Sequence, residues 1–439
     1  DFLILKNGEK IPEKTVKKIR QYMLDFAVMP SMRFLWSAGP AAEKDNTVIY
    51  NCSFAKLNCV EAFAECLHIL MCGTGFGFSV EEDEVIKLPS IPEIKSGKDI
   101  ARVTIDDSRE GWADSVKTLM TSLYEGQNIY FDYSQLRPEG ARLSTMGGRS
   151  SGPQPLIKLH DFIRETMHNA QGRKLTSLEC HDIANQIAEI VVAGGVRRSS
   201  QISLSDLDDE DMRHAKDWPF PIRRAMANNS AIYREKPTAA DFLVEWGVLA
   251  KSGSGERGIF NLESAQNQAP ARRYSSKIQG TNPCGEIMLR DMEFCNLSEV
   301  VVREEDDLDS LLDKVETATW LGVLQSTFTN FPYLRKQWKK NCDVERLLGV
   351  SLTGQMDNPL LMNSEALKAL KSRVLRISRK ASTALDVNMP VSTTCVKPSG
   401  TVSQLVDSAS GCHPRYSQYY IRRYRIAATD PLLAMLKDQ

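Results

Sequence analysis

No Cys-x-x-Cys pair occurs in this chain, and its six histidines keep no ligand-like spacing. Zinc or iron–sulfur sites need such clusters, so no bound metal is expected. No apolar run approaches the roughly 18 residues that a membrane-spanning helix requires, and the opening stretch Asp1 to Lys6 is too short for a secretory leader. The formal net charge is only −1, from 55 basic and 56 acidic residues, which removes the electrostatic case for a nucleic-acid or membrane partner. Internal repeats, low-complexity tracts and flexible linkers are missing too. What remains is an ordinary globular composition, 42% hydrophobic and 25% charged over 439 residues, expected to be cytoplasmic and large enough for several domains or one big barrel. Ten cysteines in such a chain predict reduced thiols rather than a disulfide framework.

Residues 12 to 27 place Lys and Arg among Ile, Val, Met and Leu at helical spacing, which predicts a helical N-terminal segment, residues 1–40, ahead of a main body, residues 41–439. Thr47 to Phe54 is rich in β-branched and aromatic residues and reads as a strand carrying Cys52. Val60 to Met71 reads as a helix stopped by Gly73-Thr-Gly75. Helices are expected over 108–125, 159–169 and 180–193, strands over 128–133 and 199–204, and a glycine- and serine-rich loop over 144–152. This alternation predicts an α/β fold with helices outside a sheet or barrel. The acidic run Arg303 to Asp309 reads as a solvated helix start, and Tyr419-Tyr420 as part of a Tyr/Ile/Arg strand.

One stretch stands apart. Asn282-Pro-Cys284-Gly-Glu286 sets a thiol between an amide and a carboxylate, Cys295 follows Cys284 by eleven residues, and Asn51-Cys52-Ser-Phe54 lies upstream. Taken singly, these are turn and packing residues; Cys59, Cys66, Cys72, Cys180, Cys342, Cys395 and Cys412 are read as packing too. Together the motifs resemble the catalytic subunit of ribonucleotide reductase. The resemblance continues through Met29-Pro-Ser-Met-Arg33, Thr74-Gly-Phe-Gly-Phe78, Asp107-Ser-Arg-Glu-Gly-Trp112 and Gly194-Gly-Val-Arg-Arg-Ser-Ser-Gln201. It extends to Ala227-Asn-Asn-Ser230, Gly255-Glu-Arg-Gly-Ile-Phe-Asn261 and Lys397-Pro-Ser-Gly-Thr401, in the family's order.

That resemblance implies a ten-stranded α/β barrel of two five-stranded halves, with a finger loop in its centre. It implies that Cys284 becomes a thiyl radical, that Glu286 is the general base, that Asn282 holds the sugar hydroxyls or orients that base, and that Cys52 and Cys295 are the reducing pair. Ser31, Asn51, Pro398, Ser399, Gly400 and Thr401 would meet the substrate, a ribonucleoside di- or triphosphate. Ser144, Gly147, Gly148 and Arg149, with Gly194, Gly195, Arg197, Arg198 and Gln201, resemble loops that read a dNTP or ATP effector. Many relatives carry Asp-Ser where this chain has Cys59-Val60, so effector contacts differ here.

The local motifs are most similar to the adenosylcobalamin-dependent class II; the alternatives are a dimetal centre in a separate ferritin-like subunit, and a catalytically inactive nucleotide-binding paralogue. A thioredoxin- or glutaredoxin-like reductant is implied. Neither an N-terminal activity domain nor the C-terminal cysteine tail of some relatives is expected. The short passage from Pro89 to Trp112 reads as lacking the segment by which monomeric class II enzymes imitate a partner, which predicts a homodimer.

Overall fold

The computed structural model describes residues 2–95, 101–143, 149–193, 200–253, 255–421, 423 and 431–438. Its principal sheet has six strands in the order Glu293–Phe294, Cys52–Lys56, Gly75–Ser79, Gln201–Asp206, Ala227–Tyr233 and Gly258–Asn261. The first pair is antiparallel and every later pair parallel. A second sheet places Leu297–Val301 between Val28–Pro30, antiparallel, and Gly349–Thr353, parallel. Val28–Pro30 thus ties the N-terminal segment into this sheet. Two short pairs complete the described strands, Arg102–Thr104 with Tyr130–Asp132 and Gly280–Thr281 with Met288–Leu289.

Parallel strands buried on both faces need helical cover. Helix Val60–Met71 packs against Arg109–Tyr124 and Ser177–Ala193, and Gln154–Asn169 lies on Ser177–Ala193. Leu308–Ser326, capped by Asp307, packs on the three-stranded sheet and on Ser364–Leu385. Phe54, Phe63, Phe76, Phe78, Phe294, Trp320 and Trp338 are fully buried in the resulting core. No helix among the described residues is long and apolar enough to cross a membrane.

The Val60–Met71 helix has the bounds its sequence predicts. Thr47 to Ile49 differ: they form a 3₁₀ turn, Asn46–Ile49, because the Asp45 carboxylate accepts from the Thr47 N–H at 2.9 Å and caps it. The strand begins only at Cys52. Asp45 also meets His68 Nε2 at 3.0 Å; His68 lies 3.5 Å from the Cys72 sulfur, which accepts from Arg109 at 2.9 Å. This buried cluster fixes the turn that leads into Gly75. Tyr419 and Tyr420 form no strand; both are exposed in irregular chain.

The finger-like hairpin 280–289 lies across the principal sheet where Gly75 and Gly77 offer it no side chains. A Cβ on Gly77 would sit 2.4 Å from the Thr281 carbonyl oxygen, and one on Gly280 would fall 2.2 Å from the Phe54 ring. Such overpacking costs about 1–3 kcal/mol or more, so Gly280→Ala should lower the urea midpoint at unchanged slope. Gly247→Ala, in the helix Ala239–Ser252 with nothing within 4 Å of the added methyl, should instead leave stability unchanged or raise it by up to about 1 kcal/mol.

Candidate active site

The sequence between Thr281 and Met288 closes on itself through one side chain. The Asn282 amide oxygen accepts from the Ile287 N–H at 3.0 Å, and its Nδ2 donates to the Glu286 carboxylate at 2.7 Å. Gly285 takes φ +81° between them and donates its N–H to the Asn282 carbonyl at 2.9 Å, a conformation that suits glycine. Asn282 therefore shapes the turn and holds the carboxylate with the same amide.

Cys284 stands exposed on this turn, partly shielded at its sulfur, and two buried thiols meet it from below. Cys52 opens its strand opposite Gly75, where an added Cβ would lie 3.2 Å from both the Cys52 sulfur and Pro283. Cys295 follows the antiparallel strand Glu293–Phe294; its N–H donates to the Cys52 carbonyl at 2.9 Å and its sulfur accepts from the Cys52 N–H at 3.1 Å. The Cys52 thiol in turn contacts Cys284 and Cys295. Contact with Cys284 works to lower the Cys52 thiol, yet contact with Cys295 and burial carry it well above its ordinary value. Cys284 is pushed up by its contact with Cys52 and by burial. Both therefore stay protonated at neutral pH.

Burial also raises Glu286, against the pull of the Asn282 hydrogen bond and the Lys397 charge. A carboxylate moved towards neutrality is a better general base. On one side of the turn, Cys284 and Cys52 open on a cavity of about 350 Å³ lined also by Arg33, Asn51, Thr74 and Ser200. On the other, Glu286 faces a cleft of about 440 Å³ walled by Phe260, Ala265, Ala269, Pro270, Ile287 and Met288.

The remaining predicted residues divide. Asn51 lines the cavity with its Oδ1 buried and without a hydrogen-bond partner. Ser31 is buried, capping the helix Met32–Ser37 and reaching the Ile49 carbonyl at 3.4 Å. Pro398, Gly400 and Thr401 are exposed, and Ser399 is buried with its hydroxyl donated to Glu299 at 2.8 Å. The Gly400 N–H is taken by Ser410 at 3.2 Å, and the helix that follows, Thr401–Leu405, is one short turn. Ser144, Gly147, Gly148, Gly194, Gly195, Arg197 and Arg198 lie outside the described residues. Arg149 is exposed and donates to the Gly140 carbonyl at 2.9 Å. Gln201 belongs to a strand, not a loop; its amide turns into the core and donates to the Ala184 carbonyl at 3.2 Å.

Glu299 and Lys397, neither of them among the residues expected to meet the substrate, are both buried beside Ser399. The available signal was a carboxylate at the centre of the apolar strand Leu297–Val301, since a buried charge requires a partner. Because the Asn282 amide holds Glu286 down, Asn282→Ala should raise the Glu286 pKa further. The acid limb of a kcat/KM profile should then move to higher pH; an unmoved limb would separate Asn282 from Glu286.

Residues 81–167 match the family model described as "B12-dependent ribonucleotide reductase, insertion domain". The chain is 28% identical to the adenosylcobalamin-dependent ribonucleoside-triphosphate reductase of Lactobacillus gasseri, over 96% of this chain and 69% of that protein. It is 30% identical to the Levilactobacillus brevis protein of the same name, over 84% of this chain and 58% of that one. It thus spans between 58% and 69% of the length of these two relatives. A crystal structure of a B12-dependent (class II) ribonucleotide reductase superposes with a TM-score of 0.82 at 25% identity, over 97% of this chain and 71% of that one. An Actinobacillus ureae class Id alpha subunit shares the fold alone, at a TM-score of 0.57 and 12% identity, over 100% of this chain and 74% of that one. The insertion-domain match overturns one expectation: the passage from Pro89 to Trp112 lies inside a match to that domain, so the inference of a homodimer from its absence loses its ground. In its motifs, in their spatial meeting and in fold, the chain is similar to the class II ribonucleotide reductases.

Proposed function

We propose that this chain removes the 2′-hydroxyl of a ribonucleoside triphosphate by thiyl-radical chemistry, yielding the 2′-deoxyribonucleotide. The observation that carries the reading is the meeting of Cys52, Cys284 and Cys295 beneath a carboxylate held by Asn282. Cys284 as a thiyl takes the 3′-hydrogen atom of the ribose, and Glu286 accepts the proton of the 3′-hydroxyl. The 2′-hydroxyl leaves as water. Cys52 and Cys295 supply two electrons and two protons, one to the departing water and one to C2′, and end as a disulfide; Glu286 returns its proton to the 3′-oxygen, and Cys284 returns its hydrogen to C3′ and is a thiyl again. Thiols kept protonated suit this, because hydrogen-atom transfer needs the S–H bond that nucleophilic catalysis would discard.

The relatives are named for adenosylcobalamin, and the chain offers a suitable flank. The apolar wall formed by Phe260, Ala265, Ala269, Pro270, Ile287 and Met288 borders the turn that carries Cys284, and it suits the edge of a broad, largely apolar corrin. Phe260, Ile287 and Met288 would hold that edge. When bound, the cofactor supplies the unpaired electron that makes Cys284 a thiyl. The dimetal-subunit alternative has only the fold likeness to a class Id alpha subunit behind it, and the inactive-paralogue alternative is opposed by the survival of all five inner residues.

The same reading makes the six- and three-stranded sheets parts of the ten-stranded barrel, assigns 398–401 to the substrate phosphates, and brings a dithiol reductant, a dNTP or ATP effector and a cytoplasmic setting. A second copy of the chain stays an open partner that sedimentation would decide.

An anaerobic assay on the full chain with dithiothreitol, CTP and CDP tests this directly: deoxycytidine triphosphate should form only with adenosylcobalamin added. Cys284→Ser should abolish turnover while CTP binding stays within about twofold; residual reduction by that variant would refute the radical role. Cys52→Ser or Cys295→Ser should stop cycling under the dithiol, and undiminished cycling would remove that residue from the reducing pair.

A further inference from the structure

Beside the proposed phosphate-binding stretch stands a carboxylate, an unexpected neighbour for an anion. Glu299 is 2% exposed at the centre of its strand. Its Oε2 accepts the Ser399 hydroxyl at 2.8 Å, while its Oε1 is buried without a hydrogen bond and stands 3.9 Å from the Lys397 ammonium. Lys397 is only 7% exposed, and its ammonium makes no hydrogen bond among the described residues. An ammonium has three protons to give, and none of those on Lys397 is taken by a protein acceptor at hydrogen-bond distance among the described residues.

The backbone of Lys397 is nonetheless fixed. Its N–H donates to Ser351 Oγ at 3.1 Å, and its carbonyl packs so closely on Gly411 that a Cβ there would lie 2.6 Å away. Its charge reaches the reaction site, where it pulls down both Cys284 and Glu286. A well-anchored cation at the edge of the active site is thus held loosely by one carboxylate.

We propose that Glu299 is a positioning residue whose carboxylate stands in for the substrate phosphate, holding the Lys397 ammonium and the Ser399 hydroxyl until an arriving phosphate displaces it. The proposal rests on the reading that 398–401 receive the phosphates. Ser399 has one hydroxyl proton, and while Glu299 holds it no phosphate oxygen can accept it. Two anions cannot share these donors at close range without strong repulsion in a buried setting. Burial raises Glu299 against the pull of Lys397 and Ser399, so a proton can replace the partners it gives up. The charged and titratable groups around it are Lys397, Cys395 and, beyond Lys397, Glu286.

The test compares CTP with unphosphorylated cytidine by calorimetry on the full chain. Glu299→Gln keeps an acceptor for Ser399 and removes the competing charge, so CTP should bind about tenfold more tightly with cytidine unchanged. CTP binding that is unaltered or weaker, or an equal change for both ligands, overturns the proposal. Glu299→Asp, which keeps the charge but draws it back from Lys397, should fall between, and decides the matter if the Gln variant does not fold. Lys397→Ala separates the two readings. It should weaken CTP and spare cytidine; if it leaves CTP untouched, the phosphate assignment itself fails, whereas loss there with no gain in Glu299→Gln sinks only the displacement.

Discussion

The close approach of the hairpin backbone to the glycine strand is the constraint on which the site depends. With the Thr281 carbonyl against Gly77 and Pro283 against Gly75, the turn lies as deep as van der Waals contact permits. That depth, together with the register pairing Cys52 to Gly75, brings the thiols of residues 232 positions apart into contact. Cys295 arrives by a separate route, as the continuation of the strand that pairs with Ser53 and Phe54. Fixing one close contact thus positions two unrelated segments against a third.

A second theme is desolvation. Cys284, Glu286 and Glu299 are all raised with burial among the causes, and Lys397 tempers each of them. One ammonium acts on several groups at once, which works because the low permittivity around them lets its field extend beyond its nearest partner. The Asn282 amide does the finer adjustment at Glu286.

That Asn282, Cys284, Glu286, Cys52 and Cys295 belong to one site was legible in the sequence from their recognisable order, and the fold brings them together. The helices expected over 60–71 and 108–125, observed at Val60–Met71 and Arg109–Tyr124, were legible from their apolar patterning and from the glycines that stop the first. Local pattern failed where a side chain outbid propensity: Thr47 to Ile49 have strand-like residues, but the Asp45 carboxylate captures a backbone N–H and winds them into a turn. It failed at Tyr419-Tyr420 because strand preference expresses contact with a neighbouring strand, and none lies there among the described residues. Gln201 looked like a loop residue because nothing in sequence announces that its amide will find the Ala184 carbonyl. Glu299 and Lys397 lie 98 residues apart, so their partnership exists only after the three-stranded sheet has formed.

The protonated state of the thiols has a consequence for the protein's life outside turnover. Soft metal ions, alkylating metabolites and peroxides all attack the thiolate form. A cluster of neighbouring cysteines would ordinarily invite such capture, yet here the crowding itself suppresses ionisation of Cys52 and Cys284. Thiols held in the protonated form react more slowly with such reagents, so the packing that brings Cys52 and Cys284 together also limits their loss to side reactions.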